Sequence, residues 1–136
     1  MRTKQRNNLA ETARHERFAQ NTNVYAVKAR NYKGLRRGSP VFCRNNWHIH
    51  HAKNGGGQIL VCVAGHGYYQ EWGKPAQELR PGDVVNIPVG VKHWHGTAPD
   101  SWFSHLAVEV PGDETSNEWL EAVDNTVYFK ATGKEV

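Results

Sequence analysis

The chain is poor in sulfur, has no long apolar run, and carries few acids in its first third. Two cysteines, Cys43 and Cys62, among 136 residues are too few for a disulfide framework, and both are expected to be reduced thiols. No apolar stretch approaches the roughly 20 residues that cross a bilayer as a helix. The first twenty residues, MRTKQRNNLAETARHERFAQ, lack the apolar segment of a secretory signal, so a cytoplasmic protein with no membrane partner is expected. Acids are scarce at one end only. Residues 1–44 hold eleven Lys and Arg against two acids, whereas residues 45–136 hold six against eleven. A basic third raises nucleic acid as a partner. The basic residues are scattered and no nucleic-acid motif accompanies them. A solvated arm, or one docked on the acidic part of a second copy, is the expected reading.

What is present points to one β domain. A length of 136 residues fits a single domain with a real core. Residues 1–22 read as a polar arm, with a short helix over 11–20 suggested by Leu9, Ala13 and Phe18 loosely sharing a face. Residues 23–136 form the domain. Strands are expected over 23–29, 41–51, 58–64, 68–72, 78–80, 84–87, 92–97 and 102–110. Turn signals such as Gly55-Gly56-Gly57, Gly73-Lys74-Pro75, Pro81-Gly82-Asp83 and Pro88-Val89-Gly90 separate them. The apolar, β-branched run at 58–64 reads as buried on both faces. Residues 30–40 read as a basic loop. Asn117 is expected to cap a short helix over 118–121. Many short strands at this spacing argue an all-β sandwich or barrel.

Chemistry concentrates in two stretches, WHIHHAKNGGGQ and PVGVKHWHG. Side chains alternate along a strand, so His48 and His50 share one face while Trp47, Ile49 and His51 take the other. Gln58 opens the next strand and can offer an amide oxygen. His93 and His95 again share a face. Three imidazoles and one oxygen suit a divalent transition metal: Mn, Fe, Ni or Zn. His105, mid-strand among apolar residues, needs a partner if buried; a general acid or base and a hydrogen-bonded core histidine are both open for it. His51 and His66 read as surface residues or as groups behind the site. Trp47, Trp94 and Trp102 read as barrel packing. Glu109 alternates in phase with His105 and reads either as a cavity-mouth residue or as a solvated strand end.

These residues resemble the cupin superfamily. His48-Ile49-His50, Gln58 and Gly65 follow the first cupin motif, and Gly82, Pro88-Val89-Gly90, His93 and Thr97 follow the second. The resemblance spans roughly residues 40–110. There are departures: Phe42 stands where the first motif has glycine, seven residues separate His50 from Gln58, Gln58 replaces the usual Glu, and Thr97 the usual Asn. Gln for Glu removes a negative charge, which weakens cation binding and favours an anionic or polarised substrate. Trp47-His48-Ile49-His50, Gly57-Gln58, Pro81-Gly82-Asp83-Val84-Val85 and Lys92-His93-Trp94-His95-Gly96 further resemble a subgroup of small bacterial cupins with glutamine as ligand. It includes manganese-dependent hydroxynitrile lyases and cupins found with carboxymuconolactone-decarboxylase-like proteins.

The resemblance implies an all-β double-stranded β-helix, or jelly-roll barrel, with a short N-terminal arm and a short C-terminal helix. It implies a metal on His48, His50, Gln58 and His93, with His95 and His105 lining the pocket as catalytic residues. The expected function is Lewis-acid lyase, decarboxylase or isomerase chemistry on a small molecule, in a homodimer. A metal-dependent dioxygenase and a non-enzymatic metal or small-ligand binding module are the alternatives.

Overall fold

The computed structural model describes residues 26–32 and 42–133. The expected arm over 1–22, the helix over 11–20, the beginning of the first strand and most of the basic loop lie outside the described residues. The elements run β1 (Ala26–Tyr32), β2 (His48–His51), β3 (Asn54–Gly55), β4 (Gln58–Gly65), β5 (Gly67–Glu71), β6 (Gln77–Leu79), β7 (Val84–Ile87), β8 (His93–Thr97), β9 (Phe103–Glu109), β10 (Gly112–Asp113), β11 (Ser116–Trp119) and α1 (Asn125–Thr132).

Two antiparallel sheets form the body. One has the order β1-β9-β4-β7, the other β11-β2-β8-β5-β6, and β3 pairs β10 in a short ribbon. Apart from β5 and β6, neighbours in a sheet are not consecutive in sequence, which is the signature of a jelly roll rather than of a meander of hairpins. Between the sheets lies a core of Leu60, Cys62, Val85, Ile87, Phe103 and Ala107 from the first and Tyr69 and Leu79 from the second. Cys43 and Cys62 are not joined in a disulfide, and Cys62 is buried in this core. No helix among the described residues is long and apolar enough to cross a membrane.

A second cluster covers the outer face of the five-stranded sheet. Trp94 alternates away from His93 and His95, is fully buried, and packs with Trp47, Val123 and Tyr128. The helix α1 brings Tyr128 there. Its amino end is capped by the Asp124 side chain, which accepts from the Val127 amide at 2.8 Å, and its carboxyl end by left-handed Gly133. Tyr128 donates from its hydroxyl to the Thr97 carbonyl at 2.8 Å. Arg44 stacks over the Tyr128 ring and donates to the Val123 carbonyl and Asn125 Oδ1. At least this one basic residue of the N-terminal third therefore serves the fold.

Several expectations are corrected. Residues 116–119 form a strand and not a helix: cross-strand pairing with β2 overrides the local capping signal at Asn117. The helix lies further on, at Asn125–Thr132. Only His48–His51 of the expected 41–51 strand is regular, preceded by a single bridge between Arg44 and Gly96. A side chain at Gly96 would collide with the Cys43 carbonyl, so this close approach requires glycine. The strand at 58–64 is buried on one face only, and Val63 is exposed on the other. Trp102 is half exposed and does not pack in the core.

Candidate metal centre

Register brings the expected residues together. His48 of β2 lies directly opposite His93 of β8, and their ring centroids are 4.1 Å apart. The His50 ring lies 5.2 Å from His48 and 5.1 Å from His93. Gln58 enters from the facing sheet. Gly57, with φ of 97° and no room for a side chain against the Ile87 carbonyl, sets the sharp backbone turn just before it. The long loop before Gln58 therefore does not displace it: Gln58 is buried and lines the same cavity as His48 and His50.

Hydrogen bonds fix which atoms face inward. The Nδ1 atoms of His48 and His93 lie 2.8 Å from the Asn46 and Val91 carbonyls. A carbonyl only accepts, so each Nδ1 carries the proton and each Nε2 keeps a lone pair. His50 Nδ1 lies 2.7 Å from Asn117 Oδ1 and is held in the same way. The Nε2 atoms of His50 and His93 and the Oε1 of Gln58 are buried with no hydrogen-bond partner. Three acceptors aimed inward with nothing to accept from are costly unless a cation completes them. Burial, with the neighbouring His93 second, pushes His48 down to about 3, and burial pushes His93 down to about 4. Both are neutral near pH 7, the form that binds a metal.

His95 is held differently. The His95 backbone amide donates to Asn45 Oδ1 at 2.9 Å, which leaves the Asn45 Nδ2 to donate to His95 Nε2 at 3.1 Å. Ligand atoms of His48, His93 and His95 all fall within 4.8 Å of one another, and these three form the compact metal-type group found among the described residues. The His95 lone pair is already engaged by Asn45, whereas that of His50 is not. His48 and His93 are therefore common to two possible donor sets, one with His95 and one with His50 and Gln58. The His105 ring meets His95 edge-on at 4.8 Å and is fully buried. Burial, then the nearby His105, drives the His95 pKa well below its ordinary value.

The cavity holds roughly 100 Å³ and is lined by His48, His50, Gln58, His95, His105 and Glu109 among others. Sites for drug-sized ligands span about 300–1,000 Å³, so this one suits a small molecule. Trp119, 58% exposed, lies tilted against the His48 ring at 4.6 Å on the cavity wall. Asn45, Asn117 and Trp119 were not expected at the site. His51 and His66 stay outside it, paired with Glu118 and Glu78. Glu109 faces the cavity, half buried, and accepts from Gln58 Nε2 at 2.8 Å.

No family model matches this chain. A solved structure of a cupin-like protein from Thermotoga maritima superposes with a TM-score of 0.71 and 36% identity, covering 85% of this chain and 79% of that one. This chain is a cupin. A Klebsiella pneumoniae protein with a double-stranded β-helix domain shares the cupin's fold at 17% identity and a TM-score of 0.56, over 74% of this chain and 77% of that one. An (R)-mandelonitrile lyase from Granulicella tundricola is 40% identical over 85 residues, which are 62% of this cupin and 62% of the lyase. The match thus spans less than two thirds of that relative's length.

Proposed function

We propose that this cupin is a metal-dependent enzyme of lyase type, acting on a small polar molecule such as a hydroxyl or carbonyl compound. His48, His50, Gln58 and His93 would hold the metal. The observation that carries this reading is the set of buried, inward-facing acceptors on His50, Gln58 and His93, next to a His48 oriented in the same way. Imidazole and carboxamide donors suit Mn, Fe, Ni or Zn, and manganese is the metal we favour because of the motif resemblance to the manganese-dependent lyase subgroup. Such a metal supplies Lewis-acid polarisation of a substrate oxygen. His95 and His105, edge-on to each other in the cavity wall, hold and move the proton; Asn45 keeps the proton of His95 on Nδ1. The 40% identity to a mandelonitrile lyase supports cyanohydrin cleavage, a carbon–carbon bond broken with proton transfer from the hydroxyl, as the first reaction to assay.

The protein is further read as a cytoplasmic homodimer. In support of self-association, Val63 and Val84 are exposed on the outer face of the four-stranded sheet, with Ile59, Val61, Leu106 and Val108 beside them. The test is elemental analysis of the purified protein followed by a cyanohydrin cleavage assay of metal-loaded and chelator-treated samples. Activity should need the metal and vanish in His48→Ala and His93→Ala. Equal activity in those variants would remove the mechanism.

A further inference from the structure

We propose that Glu109 is the positioning residue of this centre: it fixes the Gln58 carboxamide with Oε1 toward the histidines and returns to the site the carboxylate that Gln58 lacks. The inference rests on the metal reading above.

A glutamine is an ambiguous ligand. Its Oε1 accepts and can bind a cation, while its Nε2 only donates and cannot. The two ends differ little in shape, so a half-turn about the last torsion would replace a ligand with a group that repels a cation. Something must decide between them. Gln58 of β4 stands directly opposite Glu109 of β9 in the ladder, and its Nε2 donates to Glu109 Oε1 at 2.8 Å. A carboxylate accepts only. Turning Gln58 over would bring two oxygens together at that distance, so the flipped state is closed to it. The amide nitrogen is tied to Glu109, and Oε1 is left buried, with no hydrogen-bond partner, on the wall it shares with His48 and His50.

Asn117 stands in the same relation to His50 across β11 and β2. An asparagine can present either end to an imidazole, however, so it orients without excluding the alternative. Of these two side-chain partners, Glu109 is the chemically one-sided one.

Its charge matters too. A carboxylate hydrogen-bonded to the far side of an amide draws density onto the amide oxygen and strengthens it as a donor. The negative charge expected of a glutamate ligand has moved one side chain outward. Because Glu109 also lines the cavity, it opposes an anionic substrate. The substrate class that fits is a neutral hydroxyl or carbonyl compound, which revises the anionic preference expected from Gln58 alone.

The experiment adds Mn(II) to metal-free full-length protein and follows binding by calorimetry and the Mn(II) paramagnetic resonance spectrum. Wild type, Glu109→Leu, Glu109→Gln and the exchange Gln58→Glu/Glu109→Gln are compared, each with a thermal melt. Glu109→Leu should bind about 10–100-fold more weakly with a changed spectrum. Glu109→Gln keeps volume and hydrogen-bonding capacity but accepts or donates indifferently, and should still weaken binding about tenfold. The exchange variant, with the carboxylate placed on the metal side, should recover at least wild-type affinity. Should Glu109→Leu fail to fold, Glu109→Gln decides. Affinity within about twofold of wild type and an unchanged spectrum in the folded variants would overturn the role of Glu109 alone. Wild type that binds no Mn(II) would overturn the metal reading, and this inference with it.

Discussion

Acid should unfold the metal-free protein through its buried imidazoles, and the size of the effect can be worked out. An unfolded histidine titrates at its ordinary 6.5, whereas in the fold His48 is held at about 3 and His93 at about 4, mainly by burial. The folded values are depressed, so the unfolded chain binds more protons between those limits. Stability is therefore complete above about pH 6.5 and is lost as pH falls toward 3–4. At about pH 5 each histidine has passed some 1.5 pH units of that window, which costs about 2 kcal/mol per residue. Together they remove about 4 kcal/mol from a total that is typically about 5–15 kcal/mol. Urea unfolding of chelator-stripped protein should show its midpoint fall by on the order of 2 M between about pH 7.5 and pH 5. His93→Asn should flatten that slope by about one proton, near 1.4 kcal/mol per pH unit. A midpoint that does not move with pH, or a slope that His93→Asn leaves intact, would refute the assignment of these rings as buried and neutral.

Two further outcomes follow from contacts already described. Asn117→Ala frees the His50 ring, which the Asn117 side chain holds at 2.7 Å, and should weaken Mn(II) binding about 10–100-fold with the fold intact, as read by calorimetry. Tyr128→Phe removes the donor to the Thr97 carbonyl and should cost about 1–2 kcal/mol in denaturant unfolding. It should leave metal binding unchanged, because that hydroxyl lies across the sheet from the site.

The histidine pairs were legible because a two-residue period is enough to place His48 with His50 and His93 with His95. Turn residues then marked the strand limits from Gln58 to Ile87 to within one residue. The partners behind the ligands were not legible. Asn117 and Glu109 act only through register, Asn117 opposite His50 and Glu109 opposite Gln58. Nothing local in SNEW or VEV announces that pairing. SNEW forms an edge strand whose residues are all exposed, so it carries no apolar alternation, and its Asn read as a helix cap. Trp119 falls within the helix expected over 118–121, and its contact with His48 exists only because β11 folds back onto β2. Glu109 carried a phase signal with two readings, and only the Gln58 amide separates them.

That edge strand has a consequence for kinetics. Among the described residues β11 pairs with β2 alone, at the rim of its sheet, and it buries none of its four side chains. Such an element opens more readily than the core strands. When it frays, Asn117 leaves His50 and Trp119 leaves His48 in the same movement, while the core between the sheets stays closed. Exchange of the site's contents with solvent would then run at the pace of this one strand's opening. Amide hydrogen exchange at residues 116–119 and the rate of metal loss to a chelator should rise and fall together, while the amides of β4 and β9 stay protected.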